Sequence, residues 1–167
     1  MKTRYSILIL IILFAFTSAY AQEQSKKSKQ EQKLEKQKQV EEMINSKIFL
    51  FEGSMAYSES GKPVNISSGP NTVSFSPDMI KSDLPFYGQA NSASAGYGTP
   101  GGYKFEGKPD EYSIEPSKKG YTLKAVVKAV NESYTLNLSI GTDGNANLNV
   151  YSINRSSMRY NGEIVKP

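Results

Sequence analysis

Four stretches of this chain carry residue spacings that could do chemistry, and each can be weighed against what that chemistry requires. Gly96-Tyr97-Gly98-Thr99-Pro100-Gly101 matches G-x-G-x-x-G, the spacing that cradles a dinucleotide pyrophosphate between a strand and a helix N-terminus. Pro100 interrupts it and a strand-like Tyr103-Lys104-Phe105 follows, so no helix is placed to receive a phosphate. Gly102 to Lys108 matches the first seven positions of a P-loop, but Pro109 stands where the magnesium-holding Ser or Thr belongs. Asp143-Gly144-Asn145-Ala146-Asn147 begins like a calcium loop. Leu148 then occupies the obligatory glycine position and no Glu closes the loop, so a hairpin turn is the better reading. Glu111 and Glu115 would share a strand face about 13 Å apart. That is too far for a glycosidase pair, and they read as solvated charges.

The composition narrows the chemistry further. The 167 residues include no Cys and no His. Disulfides, thiolate nucleophiles, cysteine-held clusters and the usual imidazole bases and ligands are therefore excluded. Catalysis would have to run on Asp, Glu, Lys, Tyr or Ser, so the reading leans away from an enzyme and expects no cofactor and no metal site.

Tyrosines remain as candidates. Tyr121 and Tyr134 stand in register with apolar strand positions and read as core. Tyr87, Tyr97 and Tyr103 lie in or beside residues 88–107, which carry six of the thirteen glycines. Long glycine-rich connections are costly to order and are commonly functional. Aromatic rings on such a backbone can grip an apolar, peptide or sugar-like ligand. Tyr87, Tyr97 and Tyr103 are therefore the candidate ligand-binding residues; alternatively, they cover the open end of the fold.

The elements that must position them follow from periodicity. Residues 47–57 and 72–76 read as strands, 83–88 as an edge strand because of Pro85, and 103–105 and 112–114 as short strands. From Tyr121 to Ile164 apolar residues alternate with polar ones between turns at Asn131-Glu132, Asp143-Gly144 and Asn154-Arg155-Ser156. That is an antiparallel meander with one buried face. The fold class is mainly β: a single antiparallel sandwich or small barrel of about seven to nine strands over residues 48–167.

Two segments precede it. Lys2 and Arg4, an apolar run over residues 5–16 and Ala19-Tyr20-Ala21 make residues 1–21 a signal peptide cleaved after Ala21. No Cys follows, so lipoprotein anchoring is excluded, and no later segment is long and apolar enough to span a membrane as a helix. The expected location is the periplasm or outside the cell. Residues 22–47 form a charged helical or flexible arm with seven Lys and five Glu. Leu34 is its one large apolar residue until Val40, Met43 and Ile44 make a short stripe. Without residues 1–21 the net charge falls from +4 to +2, and the β region is neutral, which disfavours nucleic acid as a partner.

The chain also resembles an exported Gram-negative domain-of-unknown-function family, DUF family 4251. The matching pieces are Leu84-Pro85-Phe86-Tyr87-Gly88-Gln89-Ala90, residues 92–98 and 101–107, Ile48 to Phe51, and Ser157 to Ile164. The resemblance implies a signal peptide and a mainly β domain, with no assigned activity and no catalytic residues to transfer. The function expected is an exported, non-enzymatic binding module that uses residues 88–107 to take an unknown small ligand or envelope protein. An envelope-associated assembly protein acting through the charged arm is the alternative, and a carboxylate hydrolase is a weaker third.

Overall fold

The computed structural model describes residues 29–59, 61–90, 102–129 and 132–167. Residues 37–167 form one compact unit. Its ten strands are β1 (Phe49–Tyr57), β2 (Pro63–Asn65), β3 (Thr72–Phe75), β4 (Ile80–Pro85), β5 (Gly102–Gly107), β6 (Pro109–Ser117), β7 (Gly120–Lys128), β8 (Ser133–Gly141), β9 (Asn145–Ser152) and β10 (Met158–Val165). They join in one antiparallel sheet in the order β5-β4-β3-β1-β10-β9-β8-β7-β6, with β2 added to β1.

The sheet curls nearly into a barrel. β5 and β6 are consecutive in the chain, separated only by Lys108, yet stand at opposite ends of the strand order. One nearly continuous run, residues 102–117, pairs its first half with β4 and its second half with β7. A register shift between Pro109 and Glu111 lies just past the junction, where a bulge lets a strand bend.

Alternation explains the interior. Leu123, Ala125 and Val127 of β7, Tyr134 to Ile140 of β8 and Ala146, Leu148 and Val150 of β9 put every second residue into the core. Phe49 and Phe51 of β1 and Met158, Tyr160 and Ile164 of β10 complete that wall. The β1–β10 seam is tight: Gly53 faces Gly162, and a Cβ on Gly162 would sit 1.9 Å from the Glu52 carbonyl oxygen. Only glycine fits there. Outside, Lys81–Glu106, Lys104–Asp83, Lys124–Glu111 and Lys128–Asp110 pair across strands. These exposed pairs contribute little to stability.

Two strand readings need correction. β4 lies between β3 and β5 and is no edge; Pro85 is tolerated because it is the last residue of the strand. The candidate strands at 103–105 and 112–114 are six and nine residues long. On β6 most residues are at least partly exposed, so the apolar alternation that marks a strand is weak there.

Residues 29–46 are helical. Those up to Lys36 belong to a unit of their own and are exposed. Within the larger unit Val40, Met43 and Ile44 are buried in the core. Val40 reaches the β8–β9 turn at Gly144, and Glu42 pairs with Lys166 at 3.1 Å. The helix ends as the Lys47 amide donates to the Ile44 carbonyl and Lys47 itself adopts a left-handed conformation, φ 59°. Glycine is the usual residue at that position, so Lys47 carries a local conformational cost of about 1 kcal/mol.

Removing residues 22–38 should leave the thermal midpoint within about 2 °C, because little apolar surface goes with them. Extending the deletion through residue 47 should cost several kcal/mol, at about 1.5–3 kcal/mol for each buried Val, Met or Ile. Thermal and urea melts of the two truncated chains distinguish these outcomes.

Candidate functional site

The β4–β5, β7–β8 and β9–β10 connections meet at one end of the sheet, and there the strand register brings two distant charges together. Tyr134 lies opposite Ser152 in the β8–β9 hairpin, so the residues just beyond them, Glu132 and the 154–155 turn, face one another. Arg155 Nε lies 3.4 Å from Glu132 Oε2, with both side chains only 12% and 10% exposed. Both carboxylate oxygens are engaged: Tyr134 donates its hydroxyl to Oε2 at 2.7 Å, and Ser152 donates its hydroxyl to Oε1. The guanidinium also donates to the Gly102 carbonyl at 2.9 Å. It lies over the Phe86 and Tyr103 rings, 5.5 and 5.7 Å from their centroids, a cation–π arrangement.

An aromatic cluster floors this pair. Phe105 stacks on Tyr134 at 4.1 Å, and Tyr103 meets Phe86 and Tyr134 edge-on at 5.1 and 5.9 Å. Tyr103 donates its hydroxyl to the Ser156 carbonyl at 2.8 Å, and Tyr160 to the Pro85 carbonyl at 2.6 Å. Burial holds the Tyr103, Tyr134 and Tyr160 hydroxyls well above the ordinary tyrosine value, and at Tyr134 the bond to Glu132 adds to it. Arg155 opposes the effect at Tyr103 without cancelling it. Tyr112, which donates to the Lys47 carbonyl, is raised by burial too.

The same turn grips both stems of the glycine-rich connection. The Gln89 amide donates to Ser156 Oγ at 2.9 Å, and the Ser156 amide donates back to the Gln89 carbonyl at 2.9 Å. Ala90 bridges to Arg155. On the other side Arg155 holds Gly102. The approach at Gly88 is close: a Cβ there would lie 2.2 Å from Ser156 Oγ and 2.8 Å from the Phe86 ring, so it would displace the hydroxyl that holds Gln89.

Of the three candidate tyrosines, Tyr87 is 47% exposed beside the first stem. Tyr103 is fully buried on β5, so any part it plays in binding passes through the groups it supports. Tyr97 lies outside the described residues. Periodicity did not single out Arg155 and Glu132, which read only as turn residues. The signal was present in the hairpin: counting outward from Asp143-Gly144 sets position 132 opposite position 154. Ile153, 81% exposed at the same turn, was likewise missed. The Asp110 and Glu111 acids pair with Lys128 and Lys124, and among the described residues no three acidic side chains gather as a metal-binding group.

Comparison with known proteins bears on the fold. A family model described as a domain of unknown function (DUF4251) matches residues 31–164. A crystal structure of a DUF4251 family protein from Bacteroides eggerthii is similar, with a TM-score of 0.62 and 16% sequence identity, over 78% of this chain and 87% of that one. No curated protein matches the chain.

Arg155→Ala should cost about 3–5 kcal/mol in urea unfolding, because it strands a buried carboxylate. Arg155→Met combined with Glu132→Leu should recover part of that loss, because it removes the stranded carboxylate but leaves the Tyr134 and Ser152 hydroxyls without their acceptor; a double variant no better than the single one would show that the stranded charge is not the main cost. Alkaline unfolding tests the tyrosines. Unfolded tyrosine ionises near 10.0, whereas Tyr103, Tyr112, Tyr134 and Tyr160 keep their protons when folded. The unfolded state therefore binds fewer protons above pH 10, and stability falls there. The urea midpoint should hold from pH 7 to 9, as far as tyrosines set it, and drop above 10.

Proposed function

The chain belongs to the DUF4251 family, and we propose that it is an exported, non-enzymatic binding module whose ligand surface is framed by residues 88–107. The observation that supports this reading is the double anchorage of that segment. Ser156 holds its first stem and Arg155 its second. A buried ion pair is weak evidence for stability, and here we read it as a device that fixes the geometry of the stems. Here one guanidinium is spent on a backbone carbonyl at the foot of a long connection. Exposed Tyr87 and Ile153 flank the anchored stems and supply apolar contact area for a small ligand or a segment of an envelope protein. Tyr97 is a contact residue in this proposal, and Tyr103 seats the second stem through Ser156. Glu132 supports a non-catalytic role, because both its oxygens are already bonded. Residues 1–21 would direct the chain to the periplasm or beyond.

Native mass spectrometry of the protein purified from its exported fraction should reveal a retained small molecule, or cross-linking a retained envelope protein. Tyr87→Ala with Tyr97→Ala should weaken that capture by about tenfold or more with the thermal midpoint nearly unchanged. Capture that survives both changes but disappears on deleting residues 22–38 would instead favour assembly through the charged arm.

A further inference from the structure

We propose that the outer face of β8, β9 and β10 is a binding surface for a neutral polysaccharide. The register lays Arg159, Asn149 and Asn137 in one row across these strands, and Asn161, Asn147 and Ser139 in the next. The side chains of both rows point outward, since their chain neighbours fill the core. Neighbours in such a grid lie about 4.8 Å apart across strands and about 7 Å apart along them.

Asparagine is among the residues least suited to strands, so four of them on one face lower stability. They do not offset this by pairing with one another. Asn137, Asn147 and Asn149 make no side-chain hydrogen bond among the described residues; Asn161 Oδ1 is shielded from water, so the amides open to a ligand are the other three. The β4–β5 and β6–β7 surfaces behave differently, carrying four Lys–acid pairs. The contrast indicates that solubility alone did not set the composition of the amide face.

Its chemistry selects the ligand. A side-chain amide offers two donors and an acceptor, which suits vicinal hydroxyls. At the edge toward the β9–β10 turn Tyr151 is 46% exposed beside Thr135, presenting a ring on which a sugar can lie. At the β1 side the Arg159 guanidinium covers Tyr57 at 4.6 Å. Arg159 is the only cation in the two rows, too few for a polyanion, which needs several. The rows themselves hold no apolar residue, so a lipid or an apolar protein surface would find apolar area only along their edge, at Tyr151. A neutral, hydroxyl-rich chain is what remains. This surface does not depend on the reading of residues 88–107.

The test is affinity electrophoresis of the protein purified after expression of the full sequence, through native gels containing dextran, xyloglucan, galactomannan or hydroxyethylcellulose, with heparin and polygalacturonate gels beside them. Retardation is expected in at least one neutral gel, unchanged between about 50 and 200 mM salt. Asn137→Thr with Asn149→Thr should weaken it about tenfold or more, as should Tyr151→Ala, while the threonine pair leaves the thermal midpoint equal or higher. Asn147→Ser, at an exposed position, serves as a second variant should the pair fail to fold. Tyr87→Ala should leave retardation intact, which separates this surface from the glycine-rich segment. Absence of retardation in every neutral gel, retardation by the polyanions only, or retardation that survives the face variants would overturn the proposal.

Discussion

Everything in the sheet depends on residues 102–117 serving two partners. Their first half completes the pairing of β4 and their second half that of β7. A sheet that meets itself through one bent strand has few open edges, and edges invite pairing with other chains. Closure also decides where irregular chain can go. Outside the register shifts in β1 and β6 the strands alternate inward and outward, and the glycine-rich connection joins the last residue of β4 to the first of β5.

That end creates a problem which Arg155 and Glu132 resolve. The interior there is aromatic, built from Tyr103, Phe105, Tyr134 and Tyr160, and aromatic hydroxyls must find partners when buried. Tyr134 finds Glu132, while Tyr103 and Tyr160 take the carbonyls of Ser156 and Pro85. Glu132 then needs a cation, and Arg155 supplies it while also holding Gly102. Each bond in this chain satisfies a group that burial would otherwise leave stranded. The polar network is thus a consequence of closing an aromatic core with turns, and it ties the stems of residues 88–107 to the folded sheet.

The parts of this architecture that were legible in the sequence are those where packing dictates residue type. From Tyr121 to Ile164 the period of two marks four strands, and the structure has β7 to β10 there. The helix stripe at Val40, Met43 and Ile44 was legible for the same reason. Legibility failed where packing acts on one side only or across the chain. β6 is largely exposed, and only its residues 112–114 read as strand. Residues 103–105 read as a short strand and Tyr103, beside the glycine-rich run, as a ligand contact, yet strand pairing with Leu84 turns its ring inward. The Glu132–Arg155 contact was encoded in the hairpin register, but a charged residue in a turn ordinarily points to water, so nothing local distinguishes these two.

The outer surface obeys a different logic from the core. Inward positions answer to packing density, and a small change there is felt throughout. Outward positions on a nearly closed sheet face solvent and their neighbours, so folding leaves their identity largely free, and solubility is served by pairing charges of both signs. The β4–β5 and β6–β7 surfaces are composed that way. Between them, β8 to β10 present amides that neither favour the strand nor carry charge. A residue type that harms the element it sits in, repeated at positions where folding asks for nothing, points to a constraint outside the fold. A ligand that uses hydrogen bonds without charge is a constraint of that kind.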